Sequence, residues 1–238
     1  MSTTFFWRCE GTTLDGTHDF SAGDTTATAN ATPSISSSVV KIGSNAMLCD
    51  SSGDQYRFDP TQDTDIIATT SSGAIGFWHR QSGQVSNAIF LIRGANAADY
   101  VQINTNAASD EIELKIRNNG GAEASISTAA VNYAIDNWYF IVVAWNSTTP
   151  YRRISVYDSG GSLIETLENT SAFTAPADFN STTGIRIGDV GGGISTQSFY
   201  YDNIFIGTSD ADADTIVANK SITSWTEFSS GDDFTLAV

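Results

Sequence analysis

Residues 138–165, WYFIVVAWNSTTPYRRISVYDSGGSLIE, constrain the fold more tightly than any other part of the chain. Every residue from Trp138 to Trp145 is apolar or aromatic, so the stretch has no polar face to give to water. That pattern suits a central strand covered on both sides. After a short polar break the chain alternates strictly: Ile154 and Val156 face one way, while Arg153, Ser155 and Tyr157 face the other. Asp158-Ser-Gly-Gly then supplies turn residues. Buried strand, hairpin, half-exposed strand and turn predict a sheet-rich sandwich rather than a helical enzyme fold.

The rest of the chain repeats this grammar. Helical periodicity is nearly absent, and short apolar segments alternate with clusters of Gly, Ser, Thr, Asn and Asp. Strands are expected at 4–10, 46–49, 56–58, 73–80, 88–93, 100–104, 111–118, 122–128, 138–145, 152–157, 163–168, 184–188 and 197–207. So many short strands mean a sandwich or a barrel. Asn118-Asn-Gly-Gly121 and Ser159-Gly-Gly161 tolerate positive φ and predict two hairpin turns. The Ser/Thr/Ala-rich segment 20–38 reads as a long surface loop. A helix is expected at 210–219, where early aspartates suit a helix N-terminus. The tail 221–238 carries Trp225, Phe228, Phe234 and Leu236, and is expected to pack back on the sandwich or on a neighbour. No interdomain linker stands out, so residues 1–238 are expected to form one domain, with 208–238 as its helix and packing tail.

Charge limits the partners. Eleven Lys and Arg face 27 Asp and Glu, a net charge of −16. Nucleic-acid affinity depends on cations that displace counterions, so nucleic acid is disfavoured as a partner. Anionic membrane surfaces are disfavoured for the same reason, and no apolar run approaches the ~20 residues of a membrane span. The start MSTTFFWRCEG lacks the basic and apolar regions of a secretory signal, so a mature form, or release by lysis or within an assembly, is expected. Cys9 and Cys49 could form one disulfide or remain buried thiols; without CxxC spacing they do not suggest zinc.

Several groups could carry chemistry. Glu111 and Glu113 share a strand face, and glycosidases place two carboxylates about 5–9.5 Å apart. Lys115 and Arg117 continue that face, opposite Ile112, Leu114 and Ile116, which is the pattern of a solvated sheet surface. Asp210, Asp212 and Asp214 imitate the start of a calcium loop, but Thr215 and Ser221 stand where an EF-hand needs Gly and Glu. His18 and His79 are the only histidines; neither His18-Asp19 nor Ser195 in GGGIST has the setting of a hydrolase triad. Gly191–Gly193 lack the Lys and the helix of a phosphate loop. Asp202 interrupts the apolar segment FYYDNIFIG, and a core carboxylate needs a cation or main-chain donors. First and last strands commonly lie together, which would bring Asp202 towards Asp19 and Asp24; a structural Ca²⁺ there is one expectation, main-chain donors the other. Trp145, Tyr151 and Tyr200 are the candidate carbohydrate-stacking aromatics, flanked by the loops 146–151 and 191–198.

With its strands placed, the chain resembles the laminin-G-like branch of the concanavalin A-like lectin/glucanase superfamily over roughly residues 5–208. The resemblance rests on CEGTTLDGTHDFSAG (9–23), VKIGSNAMLCDSSGDQYRF (40–58), GAIGFWHR (73–80), the Trp-led hairpin, and GIRIGDVGGG followed by FYYDNIFIG. It implies an all-β, two-sheet antiparallel jelly roll, and for calcium-binding relatives it implies an ion near Asp202. The catalytic strand of the superfamily's hydrolases and the catalytic sets of its lyases find no match. The function expected is therefore a non-catalytic binding or assembly module: a virion-surface protein, head decoration or tail-associated, of a tailed phage, with capacity for glycans. Its partners would be other virion or surface proteins, polysaccharide, or a second copy of the chain. A free extracellular lectin or adhesion module is the alternative, and a polysaccharide hydrolase or lyase the next.

Overall fold

The computed structural model describes residues 3–7, 9, 20–21, 28–30, 33–58, 70–108, 110–129, 133–179, 184–190 and 197–220. Among them, the strands are β1 (Thr3–Trp7), β2 (Phe20–Ser21), β3 (Thr28–Asn30), β4 (Ser34–Ser36), β5 (Ala46–Cys49), β6 (Gln55–Phe58), β7 (Ser72–Gln81) and β8 (Asn87–Arg93). They continue with β9 (Tyr100–Asn106), β10 (Glu111–Arg117), β11 (Ala124–Ser127), β12 (Tyr139–Asn146), β13 (Tyr151–Tyr157), β14 (Leu163–Asn169), β15 (Ile185–Gly188) and β16 (Phe199–Gly207). One helix, α1 (Asp212–Ala218), follows. Nine strands form a sheet ordered β14-β13-β12-β7-β16-β1-β2, with β5 added to β16 and β4 to β5. Seven form the other, ordered β11-β10-β9-β8-β15-β6-β3. All pairings are antiparallel.

The Trp-led hairpin forms as its residues require. Strand β12 lies between β13 and β7, with Val143 opposite both Ile154 and Ile75. One face of β12 sends Tyr139, Ile141, Val143 and Trp145 into the core between the sheets. The other face sends Phe140, Val142 and Ala144 outward, where Trp78, Phe205 and the helix residues Ala213 and Ile216 cover them. Both faces are therefore dry, which is why the run contains no polar residue. Two glycines in β7 make this packing fit. A Cβ on Gly73 would strike the Trp145 ring, and one on Gly76 would strike Ile216. The turns also follow their residues: Gly121 N donates to Asn118 O at 2.9 Å and Gly161 N to Asp158 O at 2.9 Å, with Gly120 and Gly161 at φ +85° and +84°.

Segment 20–38, expected as one loop, contains three short strands. β2 extends the nine-stranded sheet beside β1, β3 closes the edge of the seven-stranded sheet beside β6, and β4 returns to the first sheet beside β5. The chain crosses between sheets here, and sheet margins are built from main-chain bonds that Ser, Thr and Asn supply as well as any residue. Such strands leave no apolar periodicity to read.

Strand β16 changes partner midway. Phe199–Tyr201 pair with β5 and Ile204–Gly207 with β1, and the register slips between Asp202 and Phe205 where Asn203 takes φ +44°. First and last strands do lie side by side. Cys9 and Cys49 are both buried and are not bonded to each other. The tail 221–238 lies outside the described residues.

Candidate functional site

At one end of the nine-stranded sheet, the β12–β13 turn and the start of α1 enclose an open groove of about 670 Å³. Thr148, Thr149, Pro150, Tyr151 and Arg153 form one wall, and Asp210, Ala211 and Asp214 the other. The turn is held by Asn146, whose Oδ1 accepts from Thr148 N at 2.9 Å and Thr149 N at 3.1 Å. Its Nδ2 donates to Asp210 Oδ1 at 3.1 Å, where Ser72 Oγ also donates at 3.1 Å. Arg153 Nη2 bonds Asp214 Oδ1 at 2.9 Å across the groove. Burial would pull the Arg153 guanidinium down, but the Asp214 bond and the neighbouring Tyr151 raise it above its ordinary value. Tyr151 is half-buried and donates to Glu168 Oε1 at 3.1 Å; burial raises its phenol, Arg153 opposes, and the Glu168 bond adds to the rise. The result is a pre-positioned polar surface with one aromatic ring, suited to hydroxyl-rich ligands.

The three expected stacking aromatics do not share a site. Trp145 is 1% exposed, packs in the inter-sheet core above Gly73 and donates Nε1–H to Thr70 O at 3.1 Å, so its ring cannot meet a sugar. Its assignment as a carbohydrate contact is corrected: the parity of β12 turns it inward. Tyr151 borders the groove. Tyr200 lies at the opposite end of the strands, in register with Arg80, its ring edge-on to Trp138 at 6.4 Å. Eight residues of β12 separate these ends, roughly 25 Å. Tyr200 has Arg80 5.4 Å from its ring centre, and Arg80 is paired with Asp136 at 2.9 Å.

Asp202 is fully buried, and its Oδ2 accepts from Lys41 N at 3.1 Å and Ile42 N at 2.8 Å. The carboxylate sits where β16 exchanges β5 for β1 and anchors the 41–42 turn arriving there. Asp19 and Asp24 lie outside the described residues, and among the described residues no group of three His, Cys, Asp or Glu is gathered to hold a metal. Glu113 pairs with Lys115 at 3.2 Å, as its alternating face predicts. Asp212, the first residue of α1, accepts from Ser209 N at 3.0 Å and so ties the helix start to the preceding turn. His18, Gly191–Gly193 and Ser195 lie outside the described residues. His79 is buried among Tyr133, Tyr201, Phe199 and Phe77.

One feature escaped the sequence: Arg57, Arg93 and Arg186 share the outer face of the seven-stranded sheet. Arg186 stands directly opposite Arg57 on β6 and Leu91 on β8, and Arg93 is two residues further along β8. Each is an isolated cation in its own strand; only the strand order β8-β15-β6 gathers them.

Two antiparallel sheets around a shared core, with one short helix, define the class: a jelly-roll-like β-sandwich. Among solved structures the chain is similar to the binding domain of botulinum neurotoxin DC in complex with SialylT, at TM-score 0.66 and 16% identity over 92% of this chain and 52% of that one. The same domain in complex with rat synaptotagmin II matches at TM-score 0.61 and 16% identity, over 92% and 52%. The binding domain of Paraclostridial Mosquitocidal Protein 1 matches at TM-score 0.64 and 14% identity, over 90% and 51%. The chain thus spans about half the length of these neighbours, and a likeness at such identities shows the fold alone. Comparison with protein-family models and with curated protein sequences finds no match.

Proposed function

We propose that this chain is a non-catalytic recognition module of a surface assembly, and that it takes glycan in the hairpin–helix groove. The observation that carries the reading is the groove itself: a half-buried Tyr151 set beside Thr148, Thr149 and the fixed carboxylates of Asp210 and Asp214. The polar groups there are tied to one another, Ser72 and Asn146 to Asp210 and Arg153 to Asp214, an arrangement that suits binding. Neighbours of the same fold are named as receptor-binding domains and were solved with SialylT and with a synaptotagmin, which supports a recognition role. The laminin-G-like resemblance points the same way. An acidic body and an aromatic-rich tail at 225–236 suit a component docked on other surface proteins; a virion-surface protein, head decoration or tail-associated, is the form we favour.

A glycan array with the wild type and Tyr151→Ala tests the groove. Saturable binding that falls with Tyr151→Ala is expected; no saturable binding to any glycan removes the reading. Mass spectrometry of the particle that natively holds the chain tests the assembly, and recovery as a soluble monomer in no particle would count against it. Equal hydrolytic or lyase activity in wild type, Glu111→Gln and Glu113→Gln would clear both carboxylates of a catalytic role.

A further inference from the structure

The groove between the β12–β13 turn and α1 carries one carboxylate that the fold positions and does not use up. Asp210 is half-buried. Its Oδ1 accepts from Ser72 Oγ and Asn146 Nδ2, each at 3.1 Å, and from Ser209 Oγ at 3.5 Å. Its main-chain N–H donates back to Ser72 Oγ at 3.0 Å. Ser72 and Asn146 are themselves paired across β7 and β12, so the carboxylate is fastened to the end of the sheet. All the bonds it accepts fall on Oδ1. Oδ2 makes no hydrogen bond and no ion pair among the described residues, and every residue lining the groove is one of them.

The groove's own cation is committed elsewhere. Arg153 is the one Lys or Arg among the lining residues, and its Nη2 is bonded to Asp214 Oδ1 at 2.9 Å. Tyr151 stands two residues before Arg153 on the same face of β13, and its hydroxyl donates to Glu168 Oε1 at 3.1 Å. With the hydroxyl committed, what the ring offers a ligand is its π surface, which carries partial negative charge. The carboxylates of Glu168 and Asp214 both act on this phenol. A stacking ring, an engaged cation and an open carboxylate oxygen together favour a ligand that brings its own positive charge. The field of a −16 chain draws such a ligand in.

We propose that the groove takes an amino sugar, a pyranose carrying a protonated amine, whose ammonium bonds Asp210 Oδ2 while its C–H face lies on the Tyr151 ring. This rests on the glycan reading of the groove and names the class of glycan. An ammonium brings three donors to a carboxylate that is already held in place, and a charge-assisted bond of this kind is roughly twice as strong as a neutral one. Thr148 and Thr149 border the same space and offer hydroxyls to those of the sugar. An N-acetylated sugar brings no charge and leaves Oδ2 with a neutral N–H at most. An acidic sugar would set its carboxylate against that of Asp210. A basic peptide could also meet Asp210, but the groove is open and its apolar members are Pro150, Ala211 and the Tyr151 ring. It therefore gives a peptide no enclosed pocket for an anchoring side chain.

The test is calorimetric titration of the full chain, at physiological salt and pH 6, with β-1,4-linked tetramers of glucosamine, N-acetylglucosamine and glucose, and with tetralysine. The three sugars differ only at C2, and only the first is charged. Saturable binding of the glucosamine tetramer, about tenfold or more tighter than either neutral tetramer, is expected. Asp210→Asn keeps Oδ1 for Ser72 and Asn146 and replaces Oδ2 alone, so it should bring the glucosamine tetramer down to the level of the neutral ones. Tyr151→Ala should weaken all three. Asp214→Asn leaves the Arg153 cation without its partner and should also weaken the glucosamine tetramer, which keeps the test open if Asp210→Asn fails to fold. Glu123→Gln removes an acid beside Lys115 on the other sheet and should change nothing. Unchanged unfolding midpoints separate lost binding from lost structure. Equal binding of the three tetramers, lowered together by Tyr151→Ala, would overturn the amino-sugar inference and leave the glycan groove standing. Absence of binding to all three would overturn the inference, and the glycan array then decides the wider reading. Tetralysine bound as tightly as the glucosamine tetramer, or glucosamine binding that both aspartate substitutions leave unchanged, would overturn it as well.

Discussion

His79 should make the protein acid-labile in a way one substitution removes. The side chain is 0% exposed; Nδ1 hydrogen-bonds the Tyr133 hydroxyl, and Nε2 has no hydrogen-bond partner among the described residues. The rings packed around it belong to Tyr133, Tyr201, Phe199 and Phe77, none of them charged at neutral pH. Burial lowers its pKa from 6.5 to about 3. Between those values the unfolded chain binds a proton that the folded chain does not, so stability rises with pH through this window and is lost as pH falls from 6.5 towards 3. The slope is about 1.4 kcal/mol per pH unit, or about 3 kcal/mol lost by pH 4. His79→Phe keeps a ring but leaves the Tyr133 hydroxyl unpartnered, which costs about 1–3 kcal/mol at pH 8. Urea unfolding at steps from pH 8 to 4, followed by tryptophan fluorescence, should show the wild type ahead at pH 8 and the curves crossing near pH 5. Carboxylate titrations are common to both proteins and cancel in the difference. A wild-type advantage that stays constant across the whole range would refute the reasoning.

Other perturbations have equally definite outcomes. Asp202→Ala strips the acceptor from the Lys41 and Ile42 N–H groups and should cost about 2–4 kcal/mol, with Asp202→Asn costing less because one oxygen remains; equal losses in urea unfolding would contradict the anchoring role. Unfolding midpoints in calcium and in chelator should coincide, and a higher midpoint in calcium would restore an ion to Asp202. Gly76→Ala should destabilise by about 1–3 kcal/mol through collision with Ile216, and Ile216→Ala in the same chain should recover part of that loss; strict additivity would show that the two do not meet. Burial and the nearby Asp54 push the Cys49 thiol well above its ordinary value, so a thiol reagent should label Cys49 in urea and leave it untouched in the folded protein.

The sheet interior was legible because burial writes itself into side-chain choice. The apolar run of β12 and the alternation of β10 and β13 announced both the strands and which faces are dry. Positive-φ glycines at 120 and 161 announced their turns. What escaped was held by main chain or by strand order. β2, β3 and β4 are margins that need hydrogen bonds and little apolar surface. Trp145 was misjudged because both faces of β12 are apolar, so composition could not say whether its ring faced a loop or the core. The groove was half legible: the 146–151 turn stood out, but its opposite wall comes from Asp210 and Asp214, which local sequence marks as helix-start acids. Arg57, Arg93 and Arg186 carry no signal in their own segments; their proximity exists only once β15 has been inserted between β8 and β6.

Helix α1 decides what the nine-stranded sheet can be. Phe140, Val142, Ala144, Trp78 and Phe205 form a water-free patch only while Ala213 and Ile216 lie on it, and Trp78 is further tied by its Nε1–H to Lys220 O at 2.6 Å. A chain cut ahead of Asp212 would keep every strand and still present a bare greasy plane to its surroundings, as prone to pair with a second copy as to stay apart. Seven helical residues thus close the outer apolar face of a sheet built from nine strands.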